Sequence, residues 1–268
     1  MFKIMRGTSG ERAFRGANIG ALALLTIFFI GIIVSMLTYT NWATFLSALL
    51  SKEILFAIRL SLFTATVATI VSVIIAVPVA YTISRTQFWG KDLVDSMLDL
   101  PIVISPIALG AALLVFFNTP IGAGINDHLQ FVFAVPGIIL AQITVISALA
   151  IRLLKSTFDS IDPRYEQVSR TLGCSKLEAF FRVVLPMAKD GLVASSILTW
   201  ARAVGEFGAT VTLAGATIMK TETLPIAIFL SLASADVEKA IAVIFILIVV
   251  SIVALLTIRR LIGRRYTI

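Results

Sequence analysis

The chain is 268 residues long, 59 % hydrophobic and only 14 % charged, with a formal net charge of +7. A soluble domain is usually about 25 % charged and 45–50 % apolar, so a large soluble domain is excluded and an all-α, polytopic membrane protein is expected as one transmembrane domain over 1–268. The positive charge belongs to membrane topology rather than to nucleic acid, and a single cysteine, Cys174, excludes an internal disulfide or a thiolate metal cluster.

The first 16 residues are basic and polar, and the apolar run after them is of spanning length. This reads as a retained first helix more than as a cleaved signal. A spanning helix needs about 20 apolar residues, and six stretches qualify: 17–37, 55–81, 97–117, 132–149, 192–213 and 240–258. Two apolar segments are too short to cross. Residues 39–50, with Trp42 and Phe45, read as an interfacial helix, and 224–232, with Pro225, as a re-entrant or interfacial turn. Pro78, Pro101, Pro106 and Pro136 fall in the second, third and fourth spans. Each removes a backbone donor and gives either a static kink or a hinge. The lone His128 falls in a loop over 118–130 and reads as a surface histidine.

Basic residues set the orientation. Lys3, Arg6, Arg12 and Arg15 precede the first span, Arg85 and Lys91 follow the second, and Arg259, Arg260, Arg264 and Arg265 follow the sixth. With the basic stretch 151–189 they share one side of a six-span topology, so both termini are expected in the cytoplasm. Lys52, Arg59, Lys220 and Lys239 are left for the other side.

Residues 151–189 are the longest polar interruption, and they have internal order. Asp162 before Pro163 reads as an N-cap with proline at the first helical position. Tyr165, Val168 and Leu172 recur at helical spacing, and Gly173 suits a left-handed C-cap. Ser175 and Glu178 form a capping box for a second helix, whose apolar side is Leu177, Phe180, Phe181 and Val184. Pro186 closes the unit. The fifth span holds the charged pair Arg202 and Glu206, which face each other at i,i+4. It is either an ion pair that fixes packing or a pair lining a polar path. Gly205 and Gly208 flank Glu206 and permit close packing or a local break. Ser195, Ser196, Thr199, Thr210 and Thr212 line a path or bond back to helix carbonyls. No phosphate-binding loop is present, so the chain itself has no means to hydrolyse ATP.

These features together resemble the permease subunits of binding-protein-dependent ABC importers, and within them the molybdate, tungstate and sulfate group. The loop signature of that superfamily begins Glu-Ala-Ala, has glycine after three more residues, and ends Ile-x-Leu-Pro. Here those places are held by Gln167, Val168 and Ser169, by Gly173, and by Val183, Val184, Leu185 and Pro186. The acidic first residue is absent at its aligned place, with Glu166 next to it. The run Trp200 to Ala209, with Gly205-Glu206-Phe207-Gly208, and the segment Leu98 to Pro106 also resemble the group.

The resemblance implies the type I ABC importer transmembrane domain, with two copies around a central path in a prokaryotic cell membrane. It implies two cytoplasmic ATPase subunits, which carry ATP and Mg, and an external oxyanion-binding protein; no cofactor is expected in this chain. The cytoplasmic loop 157–186 is then the coupling element, with Tyr165, Glu166, Gln167, Val168, Ser169, Leu172, Gly173, Phe180, Leu185 and Pro186 facing or supporting the ATPase. Arg202, Gly205, Glu206, Gly208 and Thr210 are the candidates for path or gate. Molybdate or tungstate is the expected cargo, with sulfate or thiosulfate as the alternative. An ion-coupled secondary transporter is the alternative of another class, opposed by the lack of visible internal repeats.

Overall fold

The computed structural model describes residues 9–39 and 42–263, and every regular element among them is helical. Lys3, Arg6, Arg264 and Arg265, used above for orientation, lie outside the described residues. Among the described residues, four helices are long and apolar enough to cross a membrane: α1 (Ser9–Tyr39), α3 (Lys52–Arg85), α7 (Val135–Asp159) and α14 (Val237–Gly263). The short helix α2 (Trp42–Leu49) packs on α14 through Phe45 and Phe245, ring centres 5.7 Å apart.

The six regular spans expected from the sequence are corrected at two places. The third is bent by 109° between α4 (Lys91–Val103) and α5 (Pro106–Phe117), and counts as a fifth crossing only if the pair is one span. Pro78 and Pro101 stay inside helices. The bend falls at Ser105-Pro106, because there serine caps a new helix: its hydroxyl accepts the Ala108 N–H at 3.3 Å. Proline at the first helical position needs no N–H partner. The predicted fifth span is likewise two helices, α11 (Lys189–Val204) and α12 (Gly208–Ala214), separated at 205–207. The loop around His128 is itself helical, α6 (Pro120–Leu129).

The core lies between α3 and α7, the most extensively packed pair. Along α3 the buried positions Ala57, Ser61, Ala65, Ala68, Ser72, Ala76 and Ala80 form a stripe of small side chains. In lipid, helices gain little from burying apolar surface, so close backbone approach over small residues does the holding. Helix α11 packs on this pair, with its Trp200 indole N–H donating to Thr66 Oγ1 at 3.1 Å. The short helix α13 (Leu224–Ala233) is seated inside the bundle, with Leu224 and Ala227 against Ile54, Ala57 and Val243. Its first N–H donates to the buried Ser61 hydroxyl at 2.7 Å.

Helix α12 lies between α5 and α7, and its contact with α5 is unusually close. A Cβ on Gly110 would lie 2.7 Å from the Ala209 carbonyl oxygen, and one on Gly208 would lie 2.9 Å from the Ile107 nitrogen. Both neighbours are backbone, which cannot rotate away. Gly110→Val is expected to force α5 and α12 apart and to destabilise the fold by about 1–3 kcal/mol, the usual range for overpacking. A lowered unfolding temperature of the detergent-solubilised protein checks this, and an unchanged one contradicts it.

Candidate functional site

Two places in the fold gather the polar side chains singled out from the sequence. The first is the folded loop at the end of the bundle where α3 and α7 finish. Helix α8 (Arg164–Thr171) begins one residue later than the sequence suggests, and Asp162 still caps it by accepting the Arg164 N–H at 2.9 Å. Its end is a Schellman motif: the Gly173 N–H reaches the Arg170 carbonyl at 3.1 Å and the Cys174 N–H reaches that of Ser169 at 3.2 Å. Gly173 has φ +97°, where a Cβ is strained. The capping box is present in both directions, Glu178 N–H to Ser175 Oγ at 3.2 Å and Ser175 N–H to Glu178 Oε2 at 2.9 Å. The Ser175 N–H, then its hydroxyl, then Arg182 hold the Glu178 carboxyl below the usual carboxylate range. Its capping role is therefore present at neutral pH and is lost as acid protonates it.

The second helix, α9 (Lys176–Ala179), runs through a π-helical turn, Phe180–Val184, into α10 (Leu185–Met187). The expectation that Pro186 ends the unit is corrected. The Ala188 N–H bonds to Val184 and the Leu192 N–H to Ala188, both at 2.8 Å, so the chain continues into α11. Pro186 is tolerated because it lies in the first turn after the π turn, where the ladder is already offset.

An ion pair and the hydrogen bonds around it fasten this unit to the bundle. Glu166 receives the Arg85 Nε–H at 2.6 Å on Oε1 and the Tyr81 hydroxyl at 2.6 Å on Oε2. Arg85 also donates to the Ile161 carbonyl at 2.8 Å. Beside it, Ser84 donates to Asp159 at 2.5 Å and Lys155 to the same carboxylate at 2.7 Å. Phe180 packs on Tyr81 and Phe158, ring centres 4.7 and 6.4 Å apart. Ser169 is buried and bonds back to the Glu166 carbonyl at 2.8 Å. Gln167 is exposed and shares the lining of a cavity of about 310 Å³ with Arg85, Arg170 and Lys176. The predicted apolar faces divide. Phe180 and Val184 turn inward and Leu185 is half-buried, whereas Tyr165, Val168, Leu172, Leu177, Phe181 and Pro186 are exposed.

The second place is the break between α11 and α12. Arg202 Nη1 lies 2.8 Å from Glu206 Oε2, and Glu206 Oε1 accepts the Ala209 N–H at 3.0 Å. Glu206 is 1 % exposed while the Arg202 side chain is 39 % exposed. The buried carboxylate thus satisfies a first-turn N–H of α12 and is neutralised by a cation that reaches open space. Across from it, Gln142 of α7 donates to the Ala203 carbonyl at 3.1 Å. Thr199, Thr210 and Gln142 Oε1 are buried without a hydrogen-bond partner. Ser196 and Thr212 bond back to Leu192 and Gly208. Of the five positions expected at a path, Gly205 is exposed, Arg202 is half-buried, and Glu206, Gly208 and Thr210 are buried.

Tyr81, Arg85, Gln142, and the link of Arg152 to Asp95 and Asp99 have no local sequence signal, since each joins elements far apart in the chain. Among the described residues no group of three His, Cys, Asp or Glu could hold a metal ion.

The chain matches the family model described as "Binding-protein-dependent transport system inner membrane component" over residues 68–267. It is 32 % identical over 248 residues to a probable molybdenum ABC transporter permease protein of Haloferax volcanii, covering 92 % of this chain and 90 % of that one. It is 34 % identical over 185 residues to a sulfate transport system permease protein of Synechocystis sp., covering 68 % and 67 %. A chain in the crystal structure of a bacterial alginate ABC transporter, bound to its periplasmic protein, shares the fold with a TM-score of 0.76 at 17 % identity, covering 96 % of both chains.

The Glu166 cluster makes a direct prediction. Arg85→Gln removes a charge-assisted hydrogen bond, a change of about 1.5 kcal/mol or more. Amide exchange in α8 should rise roughly tenfold while that in the middle of α3 stays unchanged. Unaltered exchange in α8 contradicts the fastening role of the cluster.

Proposed function

Because the chain belongs to the family of binding-protein-dependent transport system inner membrane components, we propose that it carries molybdate or tungstate inward as the permease of an ATP-driven importer. It is a multi-pass protein of a prokaryotic plasma membrane and a transport subunit, not an enzyme. The ABC importer fold is shared with solved relatives. On this reading two copies surround the path, two ATPase subunits sit on the cytoplasmic side, and a binding protein delivers the oxyanion from outside. Both termini and the folded loop are then cytoplasmic.

The observation that carries the reading is the folded loop itself. Its caps and its Glu166 fastening make it rigid, while Tyr165, Val168 and Leu172 remain exposed on one face of α8. A rigid unit with an outward apolar face suits docking into a groove of the ATPase and passing on its closure as a push. ATP binding closes the ATPase pair, the spanning helices switch to face outward, the binding protein releases its cargo, and hydrolysis resets the assembly. Gly173 ends this surface and Gln167 is exposed on the adjoining flank of α8, with Ser169, Phe180, Leu185 and Pro186 supporting the unit. Along the path, Arg202 offers donors to a dianion while Glu206 cancels its charge. The result is a weak site, which suits passage, since a cargo must leave as readily as it enters. Gly205 opens the backbone there, and Gly208 and Thr210 hold the break in place.

Molybdate or tungstate is preferred because, at about equal coverage of this chain, the molybdenum permease of Haloferax volcanii is 32 % identical and a sulfate permease of Salmonella typhimurium is 26 % identical. Sulfate is the second reading, favoured by the Synechocystis relative. Calorimetry of the cognate binding protein separates them: molybdate and tungstate should bind at least tenfold tighter than sulfate, and the reverse order makes this a sulfate importer. In vesicles holding the whole complex, Gly173→Val should lower transport per ATP hydrolysed, because valine at φ +97° strains the cap by about 1–3 kcal/mol. Wild-type coupling in that variant removes the proposed role of the cap.

A further inference from the structure

Helix α4 is held by charge rather than by burial. None of its residues is buried, and Leu93, Met97, Leu100, Ile102 and Val103 are exposed. Its polar tie to the bundle is Arg152 of α7. That guanidinium donates to the Asp99 carboxylate, lies 2.8 Å from the Asp95 carboxylate, and donates to the Asp95 carbonyl at 2.9 Å. Its apolar support is modest: Leu98 rests on the α3–α7 core, and Val94 borders the same face of α3 while staying largely exposed. Three contacts from one planar, forked cation fix the direction of α4 as well as its position.

The two ends of this tie lead to the two sites. Arg152 is on the last turns of α7, which passes at Ser160 into the folded loop. A regular helix of that length, about 12 Å at 1.5 Å per residue, carries a push without bending. In the other direction, α4 meets α5 through Ile104 and Ser105, both extended, with ψ 138° and 142°. Pro106 supplies no N–H there, so the helical ladder is interrupted and α4 and α5 meet as two separate rods at 109°. The far rod, α5, is locked to α12 at Gly110 against Ala209 and at Gly208 against Ile107. Ala209 is the residue whose N–H is capped by Glu206.

We propose that Arg152 with Asp95 and Asp99 forms a second mechanical link, which makes the bent α4–α5 pair follow the folded loop and so moves the Glu206-capped break. Arg152, Asp95 and Asp99 are positioning residues; they touch no cargo. The proposal rests on the importer reading for the source of the push. Without the link, the loop still docks and ATP is still hydrolysed, but α4 no longer tracks α7.

The test uses the assembled complex with its ATPase and binding protein in lipid vesicles, in a Cys174→Ser background. Spin labels at Leu93→Cys on α4 and Val249→Cys on α14 report the distance between exposed positions on the two helices. Trapping with ATP and vanadate should change that distance in the parent, and Arg152→Gln should remove at least half of the change. Arg152→Lys should restore part of it. Transport of molybdate or sulfate per ATP should fall roughly fivefold or more in Arg152→Gln, the lower range of inter-site coupling. Asp99→Asn serves as a second, milder variant if Arg152→Gln assembles poorly. The double variant should be no worse than Arg152→Gln alone, as expected for one interacting unit. An unchanged distance response in Arg152→Gln overturns the link, and so does an α4 that does not move in the parent. If α4 moves as described but neither oxyanion is transported, the cargo assignment fails and the link stands.

Discussion

A single carboxylate, Glu166, fixes the element on which the transport reading depends. Its two oxygens are taken by a guanidinium and a phenol from the last turn of α3. Without them, α8 would be a two-turn helix of eight residues with a largely exposed surface, and isolated helices of that length are not stable in water. The caps at Asp162, Gly173, Ser175 and Glu178 define its shape, but they do not attach it to anything. Attachment comes from Glu166, from the Arg85 bond to the Ile161 carbonyl, and from Phe180 against Tyr81 and Phe158. The exposed side of α8 can then be apolar, because the opposite side is tied down by charge.

The same economy governs the break between α11 and α12. A helix interrupted inside a membrane leaves N–H groups without partners, at several kcal/mol each. Glu206 meets one of them and would itself be an uncompensated charge if Arg202 did not reach it. The pair is seen as an ion pair that caps the break: the acid is buried and the base is half-exposed, and the proposed role at a path rests on that exposed base. Close glycine contacts on the α5 side then hold the interrupted helix where a regular span would have held itself.

Local features were the legible ones. The Schellman turn at Gly173, the Ser175–Glu178 box and the Arg202–Glu206 pair each depend on residues within five positions, so their chemistry is written in the spacing. Span count was less legible, because continuous apolarity hides a non-helical break. Residues 192–213 read as one helix although a buried glutamate caps a new one inside it. Prolines marked weak points without ranking them: Pro78 and Pro101 remain in helices, and the 109° bend falls at the one preceded by a capping serine. The family pattern placed an acid at 167, and the chain supplies it at 166. That residue points inward to Arg85 while Gln167 points out, which a one-residue shift around a helix permits. The contacts of Tyr81, Arg85 and Arg152 join residues more than 50 positions apart, and no periodicity announces them.

The proposed seating of the outward face of α8 in the ATPase is open to test by a photo-cross-linking residue placed at Leu172, with the same residue at Ile121 in α6 as a control, in cells making the whole transporter. A light-dependent adduct with the ATPase subunit is expected from Leu172 and none from Ile121. An adduct from Ile121, or none from Leu172 in a complex that co-purifies with its ATPase, contradicts it.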